Sequence, residues 1–122
     1  MARNILGVIA GLVVWLVVTT AFGFVLRISW PAYARVAEAM TFTLPMMVAR
    51  LAIGAVATVV TGVISARVAR SLVARVVPGV LLFLFFIPVH VSLWSKFPIW
   101  YHLTFLLSLV PLTFLGNRVG EP

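Results

Sequence analysis

Four long apolar blocks restrict what this chain can fold into. They cover about residues 5–26, 44–66, 77–94 and 99–116. Each block is close to the roughly 20 residues that a helix needs to cross a bilayer core of about 30 Å. Charged residues make up only 9% of the chain, whereas about a quarter of the residues of a soluble domain are charged. Since the connections are short, the sequence predicts an all-α integral membrane protein. We expect a single membrane domain over residues 1–122, with four transmembrane helices in an up-down bundle.

The first block is predicted to be a retained helix and not a secretory signal. Its apolar run is longer than the about 7–15 residues of a signal-peptide core, and Thr19-Thr20-Ala21 is a poor cleavage site. Arginine is far commoner than lysine, and Ala, Val, Leu and Gly dominate the apolar blocks. This bias is typical of a GC-rich bacterial genome, so we expect a multi-pass protein of a bacterial inner membrane.

The distribution of basic residues predicts the orientation of the chain. If the N-terminus is inside, the cytoplasmic side holds Arg3, Arg67, Arg70, Arg75 and Arg118. The outer side then holds only Arg27, Arg35 and Lys96. The positive-inside rule therefore places both termini in the cytoplasm. We assign the net charge of +7 to this topology and to anionic lipids on the cytoplasmic side. Since the basic residues accompany no aromatic stacking platform, no nucleic-acid partner is expected.

A short amphipathic helix is predicted between the first two spans, over about residues 30–41. Ser29 is a candidate cap, and Pro31 suits the first turn of a helix. At 100° per residue the helix has an apolar face and a polar face. The apolar face carries Tyr33, Val36, Ala37 and Met40, and the polar face carries Arg35 and Glu38. We expect this helix to lie in the outer membrane interface with its apolar face toward the lipid.

Small residues at helical spacing predict how the spans pack. In the second span Gly54, Thr58 and Thr61 lie on one face of the helix. Gly7 and Gly11 form a small-xxx-small motif in the first span. Such residues allow close helix packing in lipid, where no hydrophobic driving force brings helices together. The stripe of the second span is therefore expected to face the bundle, and the Gly7–Gly11 motif to contact either another span or a second copy of the chain.

Arg50 is the charge that a membrane fold has to accommodate. It lies on the small-residue face of the second span, about 9 Å below the outer surface at 1.5 Å per residue. A guanidinium stays protonated, so in hydrocarbon it needs a partner, a wet cavity or a route to the surface. His90 and His102 lie at the same level on the third and fourth spans. With Glu38 and Tyr101, these residues form the candidate ligand-binding site, and no metal site is predicted.

The sequence leaves three functions open beside the plainer interpretation, in which these side chains only reach headgroups and water. The first is an accessory membrane component that binds an anionic or lipidic ligand, or a partner protein, without catalysis. The second is a transporter or channel subunit, working as a homo-oligomer or within a larger membrane complex. The third is a haem protein with His90 and His102 as axial ligands. Outside this third alternative, no cofactor is expected.

An enzyme is not expected, because the chain offers few of the groups that catalysis requires. Glu38 and Glu121 are the only acids and cysteine is absent. A carboxylate pair for acid–base chemistry and a reactive thiol are therefore both missing within one subunit.

Overall fold

The computed structural model describes residues 2–69 and 71–120, and these form a four-helix bundle. The helices are α1 (Ala2–Ser29), α2 (Pro31–Val36), α3 (Leu44–Val68), α4 (Leu72–Ser92) and α5 (Ile99–Gly120), with a 3-10 turn at Trp94–Lys96. All except α2 are long and apolar enough to cross a membrane, and no strand occurs among the described residues. The predicted all-α membrane fold is confirmed. Arg70 and Glu121 lie outside the described residues.

Several helices extend beyond their apolar blocks, and α4 shows the reason most clearly. It begins at Leu72, whereas the apolar block begins near residue 77. Ser71 caps this helix by accepting a hydrogen bond from the Ala74 N–H at 3.1 Å. A cap of this kind satisfies a backbone donor that the first turn leaves free. The first turns of α4 can therefore include Arg75, which hydropathy alone excludes from the span.

The four long helices alternate in direction and pack in the ring order α1, α3, α5, α4. Helix α3 makes the most extensive contacts, with α1 on one side and α5 on the other, while the contact between α1 and α4 is much smaller. One end of the bundle, here called the aromatic end, holds α2, the start of α3 and the connection between α4 and α5. The opposite end, the basic end, holds Arg3, Arg67 and Arg118. Helix α1 buries four residues, Gly7, Val8, Gly11 and Trp15, none of them beyond the middle of the helix.

Small residues bring α1 and α3 into close contact. The Thr61 hydroxyl donates to the Gly11 carbonyl oxygen, and the Ser65 hydroxyl donates to the Gly7 carbonyl oxygen, each at 3.0 Å. A Cβ atom at Gly11 would lie 2.5 Å from the Ser65 hydroxyl oxygen. The glycine motif of the first span is thus placed against α3 of the same chain. On the neighbouring turn of α3, the buried hydroxyl of Thr58 accepts a hydrogen bond from the Trp15 indole N–H of α1.

Helices α3 and α5 approach even more closely, at glycines that the sequence analysis did not single out. A Cβ atom at Gly62 would lie 2.6 Å from the Asn117 backbone nitrogen, and one at Gly116 would lie 2.8 Å from the Val59 carbonyl carbon. The Asn117 side chain is 2% exposed and donates to the carbonyl oxygens of Gly62 and Ala74 at 3.5 and 3.3 Å. Backbone contact and a buried amide therefore join α5 to α3 and α4. Gly54 of the predicted stripe faces an aromatic ring of α5.

The connection between α1 and α3 covers the aromatic end. Its helix, α2, has six residues and is shorter than the predicted 30–41, because the chain turns at residues 37–40, where Met40 has a φ of 57°. The two faces separate as predicted, with Tyr33 buried and both Arg35 and Glu38 exposed. The buried face packs against the bundle itself. We call the resulting cluster the aromatic cap: Tyr33, Ala37, Phe42, Met46, Phe97 and Tyr101.

The close contact at Gly116 predicts a sharp effect of one added methyl group. Gly116→Ala should destabilise the bundle by about 1–3 kcal/mol, because the new Cβ atom meets α3 backbone that cannot move aside. Gly23→Ala is the matched control, since its Cβ atom would meet nothing within 4 Å and alanine favours a helix over glycine. Unfolding of both variants by SDS titration in micelles measures the difference. Equal stability of the two variants would contradict the α3–α5 contact.

Candidate functional site

Arg50 points into the aromatic cap, where two tyrosine hydroxyls hold its guanidinium. Its Nε donates to the Tyr101 hydroxyl at 3.1 Å, and its Nη1 donates to the Tyr33 hydroxyl at 2.8 Å. The guanidinium carbon lies 4.6 Å from the centre of the Phe42 ring and 5.8 Å from that of Phe97. Hydrogen bonds from a cation and contacts with aromatic faces both stabilise a charge that has left water.

The two hydrogen-bond acceptors come from separate helices, Tyr33 from α2 and Tyr101 from α5. Pro31 occupies the first turn of α2, where its fixed φ suits a helix start, and this short helix directs Tyr33 toward the bundle. Tyr101 lies in the first turn of α5. The rings of Phe97 and Tyr101 stack with their centres 4.3 Å apart. The connection between α4 and α5 therefore fixes the acceptor on one side of Arg50, and α2 fixes the acceptor on the other.

No carboxylate among the described residues balances the charge of Arg50. Glu38, the only acid in that part of the chain, is exposed, does not line the cavity next to Arg50 and makes no bond to it. A guanidinium has five N–H donors, and only two of those of Arg50 are used by the described residues. The structure thus separates Glu38 from the site to which the sequence analysis assigned it. Arg50 keeps a positive charge and free donors.

A cavity of about 190 Å³ lies beside Arg50 at the aromatic end. All four long helices contribute walls, which are mostly apolar. Its polar groups come from Thr19, Tyr33, Arg50, His90 and Tyr101. Helix α1 packs loosely along this cavity, because beyond Trp15 it buries no residue. Toward the middle of the bundle the cavity adjoins a cluster of four buried side chains, Trp15, Ala57, Leu82 and Leu109, of which Trp15 lines the cavity.

His90 and His102 are in direct contact, and their hydrogen bonds define their tautomers. The two Nδ1 atoms are 2.6 Å apart, and the His102 Nε2 lies 3.2 Å from the Trp94 carbonyl oxygen. A carbonyl oxygen only accepts, so the His102 Nε2 carries a hydrogen. With both rings neutral, the His102 Nδ1 must accept from the His90 Nδ1. The His90 Nε2 is then an acceptor, and it has no partner among the described residues.

This contact does not fit a haem held between the two histidines. The ring centres are 4.9 Å apart and the rings are joined by a hydrogen bond between their Nδ1 atoms. A porphyrin with axial ligands needs one imidazole on each of its faces, and no space for it exists between rings in contact. Within residues 2–69 and 71–120, no group of three or more His, Cys, Asp or Glu side chains could hold a metal ion.

The predicted site residues divide into three groups. Arg50, His90 and Tyr101 line the cavity. His102 is fully buried behind His90, so it positions its neighbour and does not face the cavity. Glu38 lies apart from both.

Three aromatic partners of Arg50, namely Tyr33, Phe42 and Phe97, are not among the residues predicted for the site. One signal was present, because Tyr33 was placed on the apolar face of the predicted helix. The prediction that this face meets lipid is wrong, because Tyr33 is buried within the protein and its hydroxyl accepts from Arg50.

No protein-family model, curated protein or solved structure matches this chain. The contacts of Arg50 and the cavity beside it are therefore the basis for the function proposed below.

The bond between Arg50 and Tyr101 predicts a measurable coupling energy. Tyr101→Phe and Arg50→Met should each destabilise the protein, and the double variant should be more stable than the sum of the two changes implies. We expect a coupling of about 1.5 kcal/mol, because the bond involves a charged donor. SDS unfolding of the four proteins measures it. Arg35→Met combined with Tyr101→Phe serves as control and should be additive, since Arg35 is exposed. Additivity for Arg50 as well would contradict the contact.

The histidine contact predicts an uncommon tautomer for His90. Near neutral pH, ¹⁵N spectra of the histidine-labelled protein in micelles should report a hydrogen on Nδ1 of His90 and on Nε2 of His102. The reason is that the Trp94 carbonyl oxygen can only accept, which fixes the second ring and through it the first. His102→Gln should release His90 to the other tautomer. Finding the hydrogen of His90 on Nε2 in the unchanged protein would refute the assignment.

Proposed function

We propose that this small multi-pass membrane protein is a non-catalytic component that binds an anionic head group in the cavity beside Arg50. The supporting observation is a guanidinium inside the bundle with two neutral partners and no described carboxylate. Arg50 is half-buried, and a charge without a counter-ion within a membrane span is costly. A bound anion would provide the missing charge.

The hydrogen-bonding groups around the cavity are suited to a phosphate or carboxylate. Three N–H groups of Arg50 have no partner among the described residues. The hydroxyls of Tyr33 and Tyr101 accept from Arg50 and make no other hydrogen bond to the described residues, so their hydrogens are available to donate to an anion. The His90 Nε2 supplies an acceptor for a hydroxyl on the same head group. The site therefore combines several donors with one acceptor.

The size of the cavity and the packing beside it favour a head group over a larger solute or a conduction route. Its volume of about 190 Å³ is below the about 300–1,000 Å³ of sites for drug-sized ligands. Trp15, Ala57, Leu82 and Leu109 fill the bundle beneath it. A transport route through a single chain would have to displace these side chains. A route between copies in an oligomer is the alternative that this packing leaves open.

The orientation predicted from the basic residues completes the proposal. With Arg3, Arg67 and Arg118 on the cytoplasmic side of a bacterial inner membrane, the aromatic end and its cavity belong to the outer leaflet. Trp30, Trp94 and Trp100 lie at this end, as expected of residues in a membrane interface. The head group would then be that of a molecule in or near the outer leaflet.

The proposal predicts that Arg50 determines which lipids stay with the protein. Protein purified from micelles containing equal phosphatidylglycerol and phosphatidylcholine should retain the anionic lipid preferentially, as measured by native mass spectrometry. Arg50→Gln should reduce this preference roughly tenfold, the effect of losing one charged hydrogen-bonding partner. Arg35→Gln removes an exposed charge at the same end and should leave the preference unchanged. Equal preference in wild type and Arg50→Gln would contradict the proposal.

A further inference from the structure

An apolar groove adjoins the cavity on the outside of the bundle. Its volume is about 520 Å³, and its walls come only from α1 and α4. Leucines and phenylalanines form most of this surface, among them Leu16 and Leu84. Trp15 and Phe86 line both the groove and the cavity. The polar and the apolar space therefore share these two aromatic side chains as walls.

The groove exists because α1 and α4 make little contact. Helix α1 is held to the bundle by Gly7, Gly11 and Trp15 and buries no residue nearer to the aromatic end. At Gly23, where α1 passes the cavity, a Cβ atom would meet nothing within 4 Å. The side of the cavity toward α1 is thus loosely packed. Because the groove lies between α1 and α4, it is accessible from the bilayer.

The two spaces follow one another along the bundle in the order of a lipid molecule. Arg50 and His90 lie in the cavity near the aromatic end. Leu82 lines the groove. Along the axis of α4 it lies about 12 Å from His90, at 1.5 Å per residue, in the direction of the basic end. The groove therefore lies at the depth of hydrocarbon when the cavity lies near the interface. Along the bundle axis a cationic site is therefore followed by an apolar groove.

We infer that the ligand is a single anionic lipid that enters sideways between α1 and α4. Its head group contacts Arg50, and one acyl chain lies in the groove against Leu16 and Leu84. This inference rests on the proposed anion site and adds the chemical class of the ligand. A water-soluble anion would satisfy Arg50 but has no apolar part for the groove. A lipid satisfies the cation and covers the apolar walls with one molecule.

Competition on the unmodified protein tests the need for a chain. Protein carrying phosphatidylglycerol in micelles is exposed to lysophosphatidylglycerol, which has one acyl chain, or to glycerol 1-phosphate, which has none. Native mass spectrometry measures the lipid that remains bound. We expect lysophosphatidylglycerol to displace it at concentrations at least tenfold lower than glycerol 1-phosphate. Equal potency of the two competitors would overturn the lipid inference and leave the anion site in place.

Variants that fill the groove test the location of the chain. Leu16→Trp and Leu84→Trp should each reduce retention of phosphatidylglycerol about fivefold, because a larger side chain occupies the volume of several methylene groups of the lipid. Leu107→Trp is the matched control, since Leu107 is 65% exposed and lies on α5 away from the groove. Retention that is unchanged in both groove variants would refute this location.

The Arg50→Gln variant distinguishes failure of the inference from failure of the proposed function. If Arg50→Gln loses the preference for anionic lipid while the groove variants and the two competitors have no distinct effects, the anion site stands and the lipid inference fails. If Arg50→Gln keeps the preference, the proposed function fails and the inference fails with it.

Discussion

The site depends on the close contact of α3 with its two neighbours. In lipid, helices are not driven together by apolar burial, so they associate where small residues let backbones approach. On α3 these residues are Gly54, Thr58, Thr61 and Gly62, and they face α1 and α5. This contact fixes the rotation of α3 about its own axis. Because Arg50 lies on the same face one turn before Gly54, the rotation that packs the bundle also directs the guanidinium inward.

The partners of Arg50 determine what its position can be used for. A carboxylate would neutralise the guanidinium and complete the site within the protein. The hydroxyls of Tyr33 and Tyr101 accept hydrogen bonds without carrying a negative charge. They hold the side chain in place, while Phe42 and Phe97 stabilise the cation through their ring faces. The aromatic cap therefore makes an inward-facing arginine tolerable and preserves its attraction for an anion.

The sequence predicted those features that depend on one helix at a time. Hydropathy located the spans, helical periodicity placed Arg50 on the small-residue face, and residue counting brought His90 and His102 to the level of Arg50.

The contact between Gly62 and Gly116 depends on the register of two helices, which periodicity does not contain. The bond from Arg50 to Tyr33 depends on how a loop folds back, through a turn at Met40 with a φ of 57°. Glu38 was assigned to the site because it was the only nearby acid, yet it lies on the exposed face of that loop.

The same packing rule explains why the bundle opens between α1 and α4. The small residues of α1, Gly7 and Gly11, lie near the basic end, and Trp15 is its last buried residue. Toward the aromatic end, α1 presents large apolar side chains such as Phe22 and Phe24, which are 47% and 63% exposed. A segment with few buried contacts is displaced at low free-energy cost. Outward movement of this half of α1 would widen the cavity, so the path for a ligand lies where the small residues end.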